Sequence, residues 1–216
     1  ADAAPSFGAY NAPGKFRFVD IDGDGEINDD DRTEIGSPHP DFVYGISLNL
    51  SYKNLGLAVF GNGSSGNDIF NYVRYFADFN SFQGNRSVRA LRDAWQPSNP
   101  SAPRSQWIAA NPDATSPIMD ANDQTSSRVT TYLIEDGSYF RIRNIQLTYT
   151  FGDAINNALG IDSGNIYLQG QNLFTFTNYS GLNPEVNEGS DLTLGYDGGY
   201  MPVAKTITVG LNLNLF

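Results

Sequence analysis

The chain has no cysteine, one histidine, and thirteen basic residues against twenty-four acidic ones. The missing cysteines exclude disulfide staples and thiolate metal centres and leave the compartment open. A formal net charge of −11 argues against nucleic acid as a partner, because phosphate backbones are met by clustered Lys and Arg. No run of about eighteen apolar residues occurs, so no transmembrane helix is expected. Membrane-spanning strands show only alternation and stay open as a reading. His39, in Ser37-Pro38-His39-Pro40, reads as a loop residue rather than a base, and no nucleophile–base spacing stands out. Gly61, Gly63 and Gly66 lack the Lys-Ser/Thr that completes a phosphate loop. The chain is therefore not expected to be an enzyme. Ala1-Asp2-Ala3-Ala4-Pro5 has neither the basic start nor the apolar stretch of a signal peptide, so an exported protein is expected here as a mature form or a fragment. What the chain does have is 22 Gly, 14 Phe and 12 Tyr at 17% charged residues, a mixture of turn formers and aromatics common in β-barrels. Its 216 residues allow one large β domain or two small ones.

Alternation is strongest at the end of the chain. In the stretch 203–216, Val203, Lys205, Ile207, Val209, Leu211, Leu213 and Leu215 share one parity, with small uncharged residues between them. This period of two predicts a strand with one apolar face, and its aromatic terminus fits the closing strand of a membrane barrel. Phe42–Tyr52 repeats the pattern with Phe42, Tyr44, Ile46, Leu48, Leu50 and Tyr52. Lys53-Asn54 turns it back into Leu55–Phe60. A soluble antiparallel sheet alternates too. Neither hairpin strand carries a charge, however, and Ser, Asn and Gly replace the Lys or Glu of a wet face. That favours a lipid-facing band with a polar lumen, and Ile46, Leu48, Leu50, Leu147, Ile207, Val209 and Leu211 are expected to face lipid. Further strands are predicted at Lys15–Val19, Tyr139–Phe151 and Ile166–Phe176. Phe140 and Ile142 lie on the parity opposite Ile145 and Leu147, so a bulge is expected between them. Short helices are predicted at Asp68–Phe79, Ser87–Trp95 and Asp153–Leu159. Residues 1–13 read as an irregular lead-in. Residues 61–137 read as one long loop, a length that is usually functional. Tyr72, Tyr75, Trp95 and Trp107 within it are candidate ligand or partner contacts, with ordinary loop packing as the alternative.

The sharpest local motif is the acidic loop 20–31, Asp20-Ile21-Asp22-Gly23-Asp24-Gly25-Glu26-Ile27-Asn28-Asp29-Asp30-Asp31. Laid on an EF-hand loop, Asp20, Asp22 and Asp24 take the first three side-chain positions. Gly25 takes the tight turn, Glu26 the backbone-carbonyl position, and Asp31 the last position, where a sensor has Glu. Close carboxylates repel unless paired, and a hard cation relieves this. A structural Ca²⁺ is expected, with a solvated acidic turn as the alternative. A strand rather than a helix is predicted before Asp20, which argues against a calcium sensor.

Several ordered motifs carry a family resemblance: Gly25-Glu26-Ile27; Ala94-Trp95-Gln96-Pro97-Ser98-Asn99-Pro100; Glu135-Asp136-Gly137-Ser138-Tyr139-Phe140-Arg141-Ile142-Arg143-Asn144; Gln171-Asn172-Leu173-Phe174-Thr175-Phe176-Thr177-Asn178-Tyr179-Ser180-Gly181; and Gly198-Gly199-Tyr200-Met201-Pro202. Together they resemble the C-terminal part of SusC/RagA-type TonB-dependent transporters of the Bacteroidetes outer membrane. The resemblance implies an all-β fold, with residues 14–216 as C-terminal strands of an antiparallel transmembrane β-barrel of about 22 strands with long extracellular loops. It implies import of glycans or peptides with a SusD-type lipoprotein, a plug and further strands in the same transporter, and coupling to TonB. A non-transporting subunit of an outer-membrane assembly or secretion complex is a second reading, and a soluble Ca²⁺-stabilised glycan-binding β domain a third. The chain departs from the family in having too few strands to close a barrel, so a fragment is expected. It also departs in Phe216, which is out of phase with Leu211, Leu213 and Leu215.

Overall fold

The computed structural model describes residues 7, 11–79, 86–120, 123, 125–126, 128–186 and 191–215. The chain divides into two compact units, one of residues 1–36 and 71–134, the other of residues 37–70 and 135–216.

The second unit is built on a five-stranded antiparallel sheet: β1 (Phe42–Tyr52), β2 (Leu55–Ser65), β5 (Tyr139–Thr150), β6 (Ser163–Thr177) and β8 (Thr206–Asn214), in that spatial order. A second, three-stranded sheet orders β4 (Ile134–Asp136), β3 (Asp68–Asn71) and β7 (Tyr196–Asp197). Ile69 of β3 forms a small buried cluster with Tyr179 and Val186. At one end of the large sheet the connections are short. Lys53-Asn54 makes the β1–β2 turn with Lys53 at a positive φ of 52°, and the helix α3 (Asp153–Leu159) leads from β5 to β6. At the other end lie the long connections.

The expected bulge is present. Ile145 pairs with Val59 and Ile142 with Gly61, so Arg143 is an extra residue in β5 that flips the parity of the strand. Other expectations shift. β2 runs on to Ser65 instead of stopping at Phe60. Its end reads as loop because it is Gly-Asn-Gly-Ser-Ser, yet the Tyr44 ring lies where a side chain at Gly63 would stand. The long loop therefore begins after β2. Asp68–Asn71 is strand rather than helix, held by pairing with distant residues, and the helix α1 spans only Tyr72–Asp78.

In the first unit, the helix α2 covers Val88–Asp93, with the Ser87 hydroxyl capping the Ala90 N–H at 2.9 Å. The stretch 15–19 is not a strand. Phe16 instead packs its ring against Phe79 and Tyr132, at 6.2 and 5.0 Å between centroids. Phe216, whose parity stood out in the sequence, lies outside the described residues.

Candidate functional site

The two faces of the large sheet differ across its whole width. Leu50, Leu57, Leu147, Leu168 and Val209 stand opposite one another in one row; Leu48, Val59, Ile145, Gly170 and Ile207 form the next; Tyr52, Leu55, Tyr149, Ile166 and Leu211 a third. On the reverse face, Asn49, Ala58, Gln146, Gln169 and Thr208 form the matching row. The seven residues expected to face lipid are all exposed on the apolar face, from 46% at Leu48 to 72% at Ile207. Rings border this face at both ends. Tyr44 stacks on Phe140 at 5.9 Å and Phe140 on Phe176 at 6.4 Å at the long-loop end, while Tyr52 and Tyr149 mark the short-turn end. Tyr44 to Tyr52 spans roughly 27 Å at about 3.4 Å per residue. Tilted by ~40°, that gives roughly 20 Å, close to the apolar band of an outer-membrane barrel. Beside the upper rings, an open groove of about 610 Å³ is edged by Ser65, Ser138 and Thr177, so hydroxyls begin where the apolar face ends.

Asp20, Asp22 and Asp24 converge, each offering a carboxylate oxygen within 4.8 Å of the others. The backbone curls around them. The Gly23 and Gly25 N–H groups donate to the two oxygens of Asp20 at 2.7 and 2.9 Å, and both glycines take positive φ, 78° and 89°, which a side chain would resist. Asp31 is not one of the trio; it braces the loop, accepting from Ile21 N at 2.7 Å and Asn28 N at 2.8 Å. These N–H groups, Asn28 first, lower its pKa. Asp22 goes the other way. The Asp24 N–H pulls its pKa down, but desolvation and the charges of Asp24, Asp31 and Asp20 leave it raised. Asp22 thus feels the charge of its neighbours, as a carboxylate held close to others does.

The candidate aromatics come together in pairs rather than as one site. Trp95 and Trp107 stack at 6.2 Å, with the Arg104 guanidinium 5.3 Å over Trp107, and Tyr72 stacks on Tyr75 at 5.3 Å. Trp95 is also packed by Gly14, so much of its surface serves the local fold.

Sequence reasoning missed a charged cluster in the second unit. Arg141 and Arg143 are the only charged residues in the five strands of the large sheet. Both guanidiniums hold the carboxylate of Glu185, to which the Tyr139 hydroxyl donates at 2.7 Å. Arg141 also donates to Thr175 Oγ1 and Asn183 Oδ1, each at 2.8 Å, and Arg143 to Asn62 Oδ1 at 2.6 Å. Two arginines in otherwise uncharged strands were the visible signal; the carboxylate that answers them was not.

No protein-family model matches the chain. The TonB-dependent receptor P3 of Formosa agariphila is 34% identical over 93% of this chain and 19% of its own length. The TonB-dependent receptor SusC of Bacteroides thetaiotaomicron is 30% identical over 91% of this chain and 17% of its own. Among solved structures, the RagAB peptide importer in its closed-closed state superposes with a TM-score of 0.68 at 26% identity, covering 94% of this chain and 20% of that one. The chain spans about a fifth of the length of the curated relatives it matches.

Proposed function

Since the chain is homologous along nearly all its length to TonB-dependent receptors of the SusC/RagA type and shares their barrel fold, we propose that it forms part of the barrel wall of an outer-membrane importer of a Gram-negative Bacteroidetes bacterium. The observation that carries this reading is the set of uncharged apolar rows crossing all five strands. In water such a face would be an unpaid exposure; in lipid it is the natural outer surface. Ile46, Leu48, Leu50, Leu147, Ile207, Val209 and Leu211 then face lipid, and the Asn49–Gln146–Gln169 side lines the interior. A soluble glycan-binding domain would not leave this face bare.

The cargo is a glycan or a peptide, received with a SusD-type surface lipoprotein. The plug, the remaining strands and the TonB-coupling segment belong to the same transporter. Support comes from the kinship to SusC and from the likeness to a structure named as a peptide importer. The long connections lie outside the cell, where the stacked pairs Tyr72–Tyr75 and Trp95–Trp107 can meet lipoprotein or ligand. The role is transport, not catalysis.

The acidic loop holds a structural Ca²⁺. Asp20, Asp22 and Asp24 supply side-chain oxygens and Glu26 its carbonyl; Asp31, already bonded to the backbone, keeps free lone pairs to join them. A carboxylate-rich flexible loop suits Ca²⁺ better than the smaller Mg²⁺.

The barrel reading is tested on the full-length protein. It should partition with the outer-membrane fraction and migrate faster on a gel before boiling than after. Recovery as a detergent-independent soluble protein would refute it.

A further inference from the structure

Glu185 stands in the connection after β6, yet its carboxylate is gripped by three donors of β5. We propose that Glu185 is the positioning residue that locks the segment 178–186 onto the polar face of the sheet; that this face borders an import channel rests on the reading above.

Three observations carry the proposal. First, Arg141 and Arg143 are the only charges in the five strands, and the Arg141 side chain is only 5% exposed. Two sheltered guanidiniums need an anion beside them, and removing it leaves them uncompensated. Second, the segment is shaped around the contact. Asn183 Oδ1 accepts from both Arg141 Nη2, at 2.8 Å, and Glu185 N, at 3.2 Å, and its Nδ2 donates to Glu185 O at 3.2 Å. Third, the start of the segment has separate anchors. Tyr179 donates to Asp197 at 2.5 Å, and Ser180 gives both its N–H and its hydroxyl to Glu135 at 2.9 and 2.8 Å. Glu185 is therefore the charged clamp on the far end of a segment whose beginning has anchors of its own, with the Asn183 contact to Arg141 and the buried Val186 side chain beside it. The bulge completes the device: the extra residue in β5 is Arg143, which adds a second guanidinium on the face that already holds Arg141.

The test is amide hydrogen exchange on the full-length receptor, comparing wild type with Glu185→Gln, Arg143→Gln and the double variant. Glu185→Gln should speed exchange in the segment 178–186 at least about tenfold, the factor that a loss of about 1.4 kcal/mol gives. The amides of β5 and β6 should keep their rates. Arg143→Gln should add little on top of Glu185→Gln, since the two act through one contact. Unchanged exchange in Glu185→Gln overturns the proposal. So does equal acceleration of the strand amides, because Glu185 would then build the sheet rather than hold the segment; so does full additivity of the two substitutions. A failure of the barrel reading would show separately, as a receptor missing from the outer-membrane fraction.

Discussion

In the large sheet the apolar side chains point outward in rows and the backbone ladder holds them. In the unit of residues 1–36 and 71–134 the packing turns inward around two short helices. There Phe16, Phe79 and Tyr132 pack ring on ring, and charges are buried rather than banished. Asp78, 6% exposed, accepts from Arg89 and Ser87 at 2.5 Å and from Tyr132 at 2.7 Å, with Arg74 at 3.4 Å. The five strands, by contrast, carry two charges in all, both on the polar face. On the barrel reading proposed above, the difference is one of solvent. A unit bathed in water collects apolar groups inside and can shelter ion pairs that are fully hydrogen-bonded. A wall bathed in lipid puts its apolar groups outside and has no use for charge on that side.

Removing the Asp78 carboxylate is the harshest way to probe the first unit. Asp78→Ala takes the shared acceptor from Arg89, Arg74 and Tyr132 and leaves charge uncompensated in a buried site, at a cost of about 3–5 kcal/mol. Hydrogen exchange should show α1 and α2 opening, with β1 and β2 protected as before. If the strands open with them, the two regions are not independent units and the comparison fails.

The wall is probed by a pair of neighbours on one strand. Leu48→Arg should destabilise the folded barrel by about 2–4 kcal/mol if its depth is near the midplane, whereas Asn49→Arg, on the opposite face, should cost well under half of that. Urea-driven unfolding of the receptor in lipid vesicles measures both. Equal costs would mean that the two faces see the same medium.

How much of this was legible in the sequence follows from how far apart the interacting residues lie. β1 was readable from end to end, because period-two alternation and a two-residue turn are local. The parity change in β5 was readable as well, as a phase break between Ile142 and Ile145. β3 was not: Asp68-Ile69-Phe70-Asn71 has no period of its own and is made strand by Ile134–Asp136 and Tyr196–Asp197, both far along the chain. The end of β2 was missed because Gly61 and Gly63 read as loop, although rings from neighbouring strands lie over them. Phe16 and Phe18 mimicked a strand by their alternation, but their rings are placed by distant partners, Phe79 and Tyr132 for Phe16 and Phe7 for Phe18. Among the candidate sites, the convergence of Asp20, Asp22 and Asp24 was visible, with every group within twelve residues, while the bracing of the backbone by Asp31 was not, and Glu185 comes to Arg141 and Arg143 from beyond the next strand.

The smallest expected effect concerns that loop, and it tests whether an exposed cluster in the first unit is organised by its own hydrogen bonds or by an ion. The backbone already curls: Gly23, Asp24, Gly25 and Glu26 N–H groups all end on Asp20, Asp22 or Asp24 oxygens. Those bonds orient the carboxylates but do not cancel their repulsion, which shows in the raised pKa of Asp22, opposed by the Asp24 N–H and carried by desolvation and the charges of Asp24, Asp31 and Asp20. A cation reverses the sign of that interaction. Ca²⁺ should therefore slow proteolytic cleavage within residues 20–31 of the full-length receptor, and a chelator should undo the protection. Asp22→Ala with Asp24→Ala should abolish the Ca²⁺ response while leaving β1 and β2 intact, since the lost groups are exposed and serve only the loop. Lower pH should weaken the response in wild type, because protonating Asp22 removes a ligand, and its raised pKa brings that loss in at a higher pH than for an ordinary aspartate. Cleavage that ignores Ca²⁺ and chelator alike, in wild type as in the double variant, would show that the hydrogen bonds alone shape the loop.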